Sequence, residues 1–248
     1  MDSLALPATP GIHVVPLADL MRVDREWSRG HAHHRFLNTP PGAPGRIEFG
    51  PLRLFALETV DAGHGYSLHP HDNVEVITLI LSGTALHRDS IGGEVAQTSE
   101  VVAVMSAGSG IQHAEYASHE SPCRLVQIWL EPRRRDTPPR ADHAHLPRAE
   151  RLNRLQVMVS GRASDQAPLY VDQDAVLFSA VLERGARVAH PIHAGRCAYV
   201  VPASAAIRLN HQHVQAGERV LASEPGTLGI AADDRTEVLV LDLPRSRD

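Results

Sequence analysis

The stretch GYSLHPHDNVEVITLILSG, from Gly65 to Gly83, holds two histidines either side of a proline and then an apolar run closed by glycine. Pro70 has no backbone N–H and pushes the residue before it out of the helical region, so both histidines belong to extended chain. On a strand, residues i and i+2 leave the same face, which aims the imidazoles of His69 and His71 one way, close enough to chelate. Imidazole suits zinc, copper, iron and nickel, but two ligands hold an ion weakly, so the reading requires further ligands elsewhere in the chain. The run VEVITLILSG that follows is rich in β-branched residues and reads as a strand.

The same rhythm continues on both sides. GPLRLFALETV lies before it, and GTALHRDS, VVAVMSAG and CRLVQIWLEP lie after it, separated by glycine, proline and aspartate turns. DSIGG, Asp89 to Gly93, reads as a hairpin connection, since glycine takes the positive φ such loops need. A second set follows: AVLFSAVLERG, CAYVVPASAAIRLN, ERVLASEPG, TLGIAA and TEVLVLDLP. Each set closes on a strand ending in proline, VQIWLEP in one and VLVLDLP in the other, which points to an internal duplication. The expectation is an all-β, antiparallel protein of two barrels or sandwiches. Residues 1–132 form the N-terminal domain, 133–150 a linker around the proline-rich basic run EPRRRDTPPR, and 151–248 the C-terminal domain. PLADLMRVDREW, near the start, has helical spacing and is expected as a helix.

Composition narrows the function. With 248 residues and 43% hydrophobic content, the chain can bury a core as one large domain or two ordinary ones. A net charge of −5 and 4% aromatics leave neither a basic stripe nor stacking platforms, so nucleic acid is not an expected partner. No window resembles a membrane span, and MDSLALPATPGIHVVP lacks the basic start and apolar core of a secretory signal, so a cytoplasmic location is expected. Cys123 and Cys197, too few for a disulfide framework, read as small buried hydrophobes.

The further ligands lie in MSAGSGIQHAEY, Met105 to Tyr116, where His113 and Glu115 again stand at i and i+2 behind turn glycines at 108 and 110. Two same-face pairs on two strands of one half bring three imidazoles and a carboxylate together. That set suits a divalent transition metal with positions left for water or substrate.

GHGYSLHPHDNVEVITLILSG, HRDS and MSAGSGIQHAEY together resemble a bicupin of the pirin family, and within it the bacterial pirin-like quercetinases. The similarity covers most of the chain. Gly63, His69, His71, Glu75 and Gly83 match the first cupin motif, and Gly110 with His113 the core of the second. The resemblance implies two jelly-roll cupin domains, with His69, His71, His113 and Glu115 binding one metal. That metal is Fe(II) by the family's usual description, with Ni, Mn, Co, Cu or Zn also accommodated. Glu75 stands an even step from His71, so parity alone leaves it on the ligand face. The resemblance gives the carboxylate role to Glu115 and leaves Glu75 outside the metal's direct contacts. His87 in LHRDS is expected to make a structural hydrogen bond.

The second half is expected to lack a metal. In ERGARVAHPIHAG, His190 and His193 are three apart and point to opposite faces, SEPGTLGIAADD has no histidine, and NHQH reads as a hairpin tip carrying His211 and His213. The first half departs from the family in WSRGHAHHRFLNTPPG, Trp27 to Gly42. That segment has only Trp27 and Phe36 as rings, and with His31, His33 and His34 it reads as a polar loop. Position 72, often basic in the family, is Asp72, an acidic group near the entrance.

The resemblance implies a dioxygenase that cleaves flavonols such as quercetin with O2 and releases carbon monoxide, Glu115 taking the substrate's hydroxyl proton. The alternative is a non-enzymatic metal or redox sensor that binds a protein partner, and a third is a bicupin that binds another small phenol. Cupins host many chemistries on one fold.

Overall fold

The structure, a computed structural model, describes residues 11–35, 40 and 42–245; Phe36 lies outside them. The chain divides into two compact units. One comprises Asp19–Pro147 with Val159–Asp174, and the other the residues up to Ala18, Arg148–Met158 and those from Ala175 onward.

The first unit holds two sheets. A larger one runs in the order Arg140–His145, Val101–Ser106, Glu75–Ser82, Cys123–Leu130, Leu52–Val60, Ser28–His34, Met21–Arg25. A smaller one runs Gly65–His71, Ile111–Ala117, Ala85–Asp89, Glu94–Gln97. The pairings are antiparallel. Glu75–Ser82 is central in its sheet and buried along its length except at Ser82, which explains an apolar run without alternation. Ala85–Asp89 alternates strictly, turning Ala85, His87 and Asp89 inward and Leu86 and Arg88 outward. Gly65–His71 lies at a sheet edge, the place where a strand tolerates proline.

The second unit repeats the plan. Its larger sheet includes Ile12–Val15, Arg219–Ala222, Arg196–Pro202, Thr236–Pro244 and Val176–Leu182 in that order. Its smaller sheet runs Arg187–Ile192, Gly226–Ala232, Ile207–Leu209, Gln212–Val214. Strand for strand, this smaller sheet corresponds to that of the first unit, Arg187–Ile192 again holding a proline at the edge. The duplication expected from the sequence is therefore present in topology: the fold is an all-β bicupin.

Three local expectations give way. PLADLMRVDREW forms a short 3-10 turn, Leu17–Asp19, and then the strand Met21–Arg25. Its apolar residues imitate helical spacing, but Val23 is buried with Ala32, Leu54 and Ala56 as part of a sheet. The expected polar loop after Trp27 is the strand Ser28–His34, hydrogen-bonded on both sides, with Ser28, His33 and His34 buried. The expected linker 133–150 contains Arg140–His145, which pairs with Val101–Ser106. A polar, basic composition is compatible with an edge strand because one side of it faces no neighbour. No helix among the described residues is long and apolar enough to cross a membrane.

Candidate metal centre

His69 and His71 stand on the edge strand Gly65–His71, and His113 pairs directly opposite His69 on the neighbouring strand Ile111–Ala117. The two strands come unusually close at the far end: a Cβ on Gly65 would lie 2.1 Å from the carbonyl oxygen of Glu115, so only glycine fits there. The three imidazoles converge, with ring centroids 4.5 Å apart for His69 and His113, 4.8 Å for His69 and His71, and 4.9 Å for His71 and His113.

The ring nitrogens are arranged as a donor set. Nδ1 of His69 lies 2.7 Å from the carbonyl oxygen of Ser67, which can only accept, so Nδ1 carries the proton and Nε2 of the neutral ring presents a lone pair. That Nε2 faces Nε2 of His113 at 3.0 Å. Nε2 of His71 is buried with no hydrogen-bond partner. Burial, followed by the charges of neighbouring imidazoles, pushes His71 and His113 down to about 4 against the pull of Glu115, so both are neutral at pH 7. Three imidazoles converging in this way, one with a ring nitrogen buried and otherwise unpartnered, suit a borderline cation.

Glu115 borders this trio without joining it. Of the described residues, His69, His71 and His113 form one group whose ligand atoms lie within 4.8 Å of one another, and His87, His113 and Glu115 form a second that shares His113. Oε2 of Glu115 accepts a hydrogen bond from Nε2 of Gln127 at 2.8 Å, and Oε1 lies 3.9 Å from Nδ1 of His87. Burial alone would raise the carboxyl, but the hydrogen bond and charge of His87, with His113 and Gln127, hold it down at about 2. His87 is fixed in turn by Asp89, whose Oδ2 lies 3.2 Å from its Nε2. Oδ1 of Asp89 accepts from the backbone N–H of Ile91 and of Gly93, so the turn chemistry of DSIGG also sets the imidazole. The structural hydrogen bond expected of His87 is present.

Glu75 is turned elsewhere. Asn73 takes φ 48°, a left-handed turn that ends the ligand strand before Glu75 opens the next one, so parity does not carry across. Buried Glu75 accepts from Oγ of Ser106 at 2.7 Å and from the backbone N–H of Asp172 at 3.0 Å. Asp72 is exposed. His31, His33 and His34 belong to neither ligand group.

In the second unit, His190 occupies the place of His69 and is buried, its Nε2 3.1 Å from Oδ2 of Asp242. Asp242 also accepts from Arg196. His193, His211 and His213 are exposed, and His213 sits 2.9 Å from Asp233 on a short hairpin.

Two cavities meet at Glu115. One, of about 290 Å³, is bordered by His87, Asp89, His113 and Glu115. The other, of about 250 Å³, is bordered by His69, Glu115, Gln127 and Trp129, with apolar walls that include Val23 and Leu54. At its rim the guanidinium of Arg25 stands 5.2 Å from the ring centre of Tyr66 and donates to its hydroxyl, which donates to Glu58 at 2.8 Å. Sequence reading missed Arg25, Glu58, Tyr66, Gln127 and Trp129; only the spacing of Gln127 and Trp129, i and i+2 on an apolar strand, offered a local hint.

Residues 23–130 match the family description Pirin, and residues 157–243 match the quercetinase C-terminal cupin domain. The chain is 30% identical over 224 residues to a quercetin 2,3-dioxygenase of Escherichia coli, covering 87% of this chain and 95% of that one. It is 28% identical over 227 residues to a pirin-like protein of Caulobacter vibrioides, covering 92% and 97%. The crystal structure of the Escherichia coli bacterial pirin YhhW in complex with nickel(II) superposes with a TM-score of 0.84 at 27% identity, over 95% of this chain and 100% of that one.

Proposed function

The chain belongs to the pirin family of bicupins, a metal-dependent cupin lineage, and from that premise we propose that it is a dioxygenase acting on flavonols such as quercetin. His69, His71 and His113 would hold one divalent transition ion, Fe(II) in our reading, with Glu115 as the fourth ligand or as a carboxylate beside it. The observation that carries the proposal is the convergence of three imidazoles, one of which, His69, borders a cavity with apolar walls that an ionised Glu115 also lines. A bound divalent ion supplies Lewis acidity, which makes a phenolic hydroxyl much more acidic.

The chain's own residues do the rest. Val23, Leu54 and Trp129 flank a planar aromatic and keep water from it. Glu115, already unprotonated, accepts the substrate's hydroxyl proton. The overall reaction adds O2 across the flavonol ring and releases one carbon as carbon monoxide. We place the protein in a reducing cytoplasm, where the buried thiols of Cys123 and Cys197 stay free.

The test is metal content of anaerobically purified protein together with oxygen consumption on quercetin, in wild type and His69→Ala. One equivalent of metal and turnover in wild type, both lost in the variant, is the expected result. Metal without turnover would sink the dioxygenase reading and favour the second one, a metal-responsive regulator that binds a protein partner. One observation favours that second reading: Leu68, Leu86 and Tyr116 are exposed on the strands of the ligand-bearing sheet, and Leu86 lies opposite Tyr116.

A further inference from the structure

The strand Cys123–Leu130 supplies none of the four candidate ligands, yet two of its side chains reach the site. The indole N–H of Trp129 lies 2.9 Å from Oε1 of Gln127, and Nε2 of Gln127 lies 2.8 Å from Oε2 of Glu115. An indole nitrogen can only donate, so the Gln127 oxygen must be the acceptor and its NH2 group must face Glu115. An amide NH2 can likewise only donate, so in this contact Oε2 of Glu115 is the acceptor. The ring of Trp129 also stands edge-on to His71, with centroids 4.9 Å apart at 82°.

We infer that Gln127 is a positioning residue that sets the carboxylate of Glu115, its amide locked in one orientation by Trp129. The inference rests on the reading that Glu115 acts beside a metal held by His69, His71 and His113. Within it, Trp129 links two strands of the site, packing on a candidate ligand with its ring and orienting the carboxylate through its N–H. Gln127 sets which oxygen of Glu115 is held back and which is left toward His87 and the histidine trio. A carboxylate released from this tether rotates freely, and the loss falls on turnover more than on substrate affinity.

The test uses Co(II) alone as the probe, because its visible absorption reports the number and kind of ligands. Gln127→Met keeps the length of the side chain and removes the donor; Trp129→Phe keeps the ring against His71 and removes the N–H. Both are expected to move the Co(II) spectrum and shift Co(II) affinity in the same direction, Gln127→Met more strongly. Gln127→Met should change nothing further in a Glu115→Gln background. In the loaded enzyme, kcat for quercetin is expected to fall about tenfold in Gln127→Met, with a smaller change in KM, as for the loss of one hydrogen bond to a charged group. A Co(II) spectrum and affinity identical to wild type in both variants would overturn the inference while leaving the metal centre standing. Wild-type protein that takes up no Co(II) would overturn the metal centre and this inference together. Trp129→Phe carries the test if Gln127→Met does not fold.

Discussion

The two halves of the molecule place one lattice of positions at the disposal of two chemistries. In the first half, His69, Pro70 and His71 end the edge strand, and His113 sits opposite His69. In the second, His190, Pro191 and Ile192 end the corresponding strand, and Leu228 sits opposite His190. Ile230, two residues beyond Leu228, takes the place of Glu115. Ile192, Leu228 and Ile230 belong to a large apolar core, and the surviving histidine is held by Asp242, which also binds Arg196. The same backbone thus surrounds either three convergent imidazoles or a hydrophobic plug with a histidine and an arginine on one aspartate. The difference teaches that topology provides the address and a handful of side chains decide what happens there.

The sharpest way to break the comparison is to convert the first half into the second. His113→Leu with Glu115→Ile should abolish metal uptake, leaving less than about a tenth of an equivalent by elemental analysis, since one lost ligand alone typically defeats such a site. Its melting temperature should hold or rise, because apolar groups replace buried polar ones that need partners. The next effect lies in the second half. Asp242→Ala strands His190 and Arg196 in the interior and is expected to cost about 3–5 kcal/mol in denaturant unfolding, with metal content unchanged.

The same aspartate makes a pH prediction. Burial pushes its carboxyl up, but the hydrogen bond from His190 and the charge of Arg196 outweigh that and hold it below its ordinary value. The unfolded chain therefore binds the proton more readily, and the stability this group supplies is present above the ordinary aspartate range near pH 4 and is lost as pH falls through the lower folded value. Unfolding midpoints of wild type should drop through that window more steeply than those of Asp242→Asn. Equal slopes would contradict the assignment.

The smallest effect concerns the turn after the ligand strand. The second half closes it with Gly195 at φ 79°, the first with Asn73 at φ 48°. The Asn73 side chain accepts from the backbone N–H of Asp136 at 2.7 Å and donates to its carboxylate at 3.0 Å. Asn73→Gly keeps the backbone conformation and loses those bonds, so it should cost about 1 kcal/mol; Asn73→Ala, which also strains the turn, should cost about 2 kcal/mol by thermal unfolding.

What was legible beforehand follows from what is local. Strands such as Leu52–Val60 and Glu75–Ser82 announce themselves by β-branched runs between glycine turns, and the two histidine pairs by proline and spacing. Glu75 was ambiguous because a single left-handed asparagine resets strand parity, and asparagine does not advertise its φ. Met21–Arg25 owes its strand form to a tight hairpin with Ser28–His34, which in turn pairs with Leu52–Val60, and Arg140–His145 owes its own to Val101–Ser106, distant in the chain. Gln127 and Trp129 escaped notice for the same reason. Glu115, which Gln127 contacts, lies on another sheet, and beyond the i, i+2 spacing of the two side chains nothing in the run CRLVQIWLEP marks that contact.

Asn73 has one more consequence, for motion. It separates an edge strand, half-open to solvent and interrupted by a proline that donates no ladder bond, from the strand that begins at Glu75 and is buried up to Ser82. Opening of the edge need not disturb the centre of the neighbouring sheet. The backbone amides of Gly65–His71 should therefore exchange with deuterium long before those of Glu75–Ser82, and an ion bridging His69 and His113 would slow the first set while leaving the second untouched. On that expectation the histidines stand on the strand of the two that opens first, beside one that stays shut.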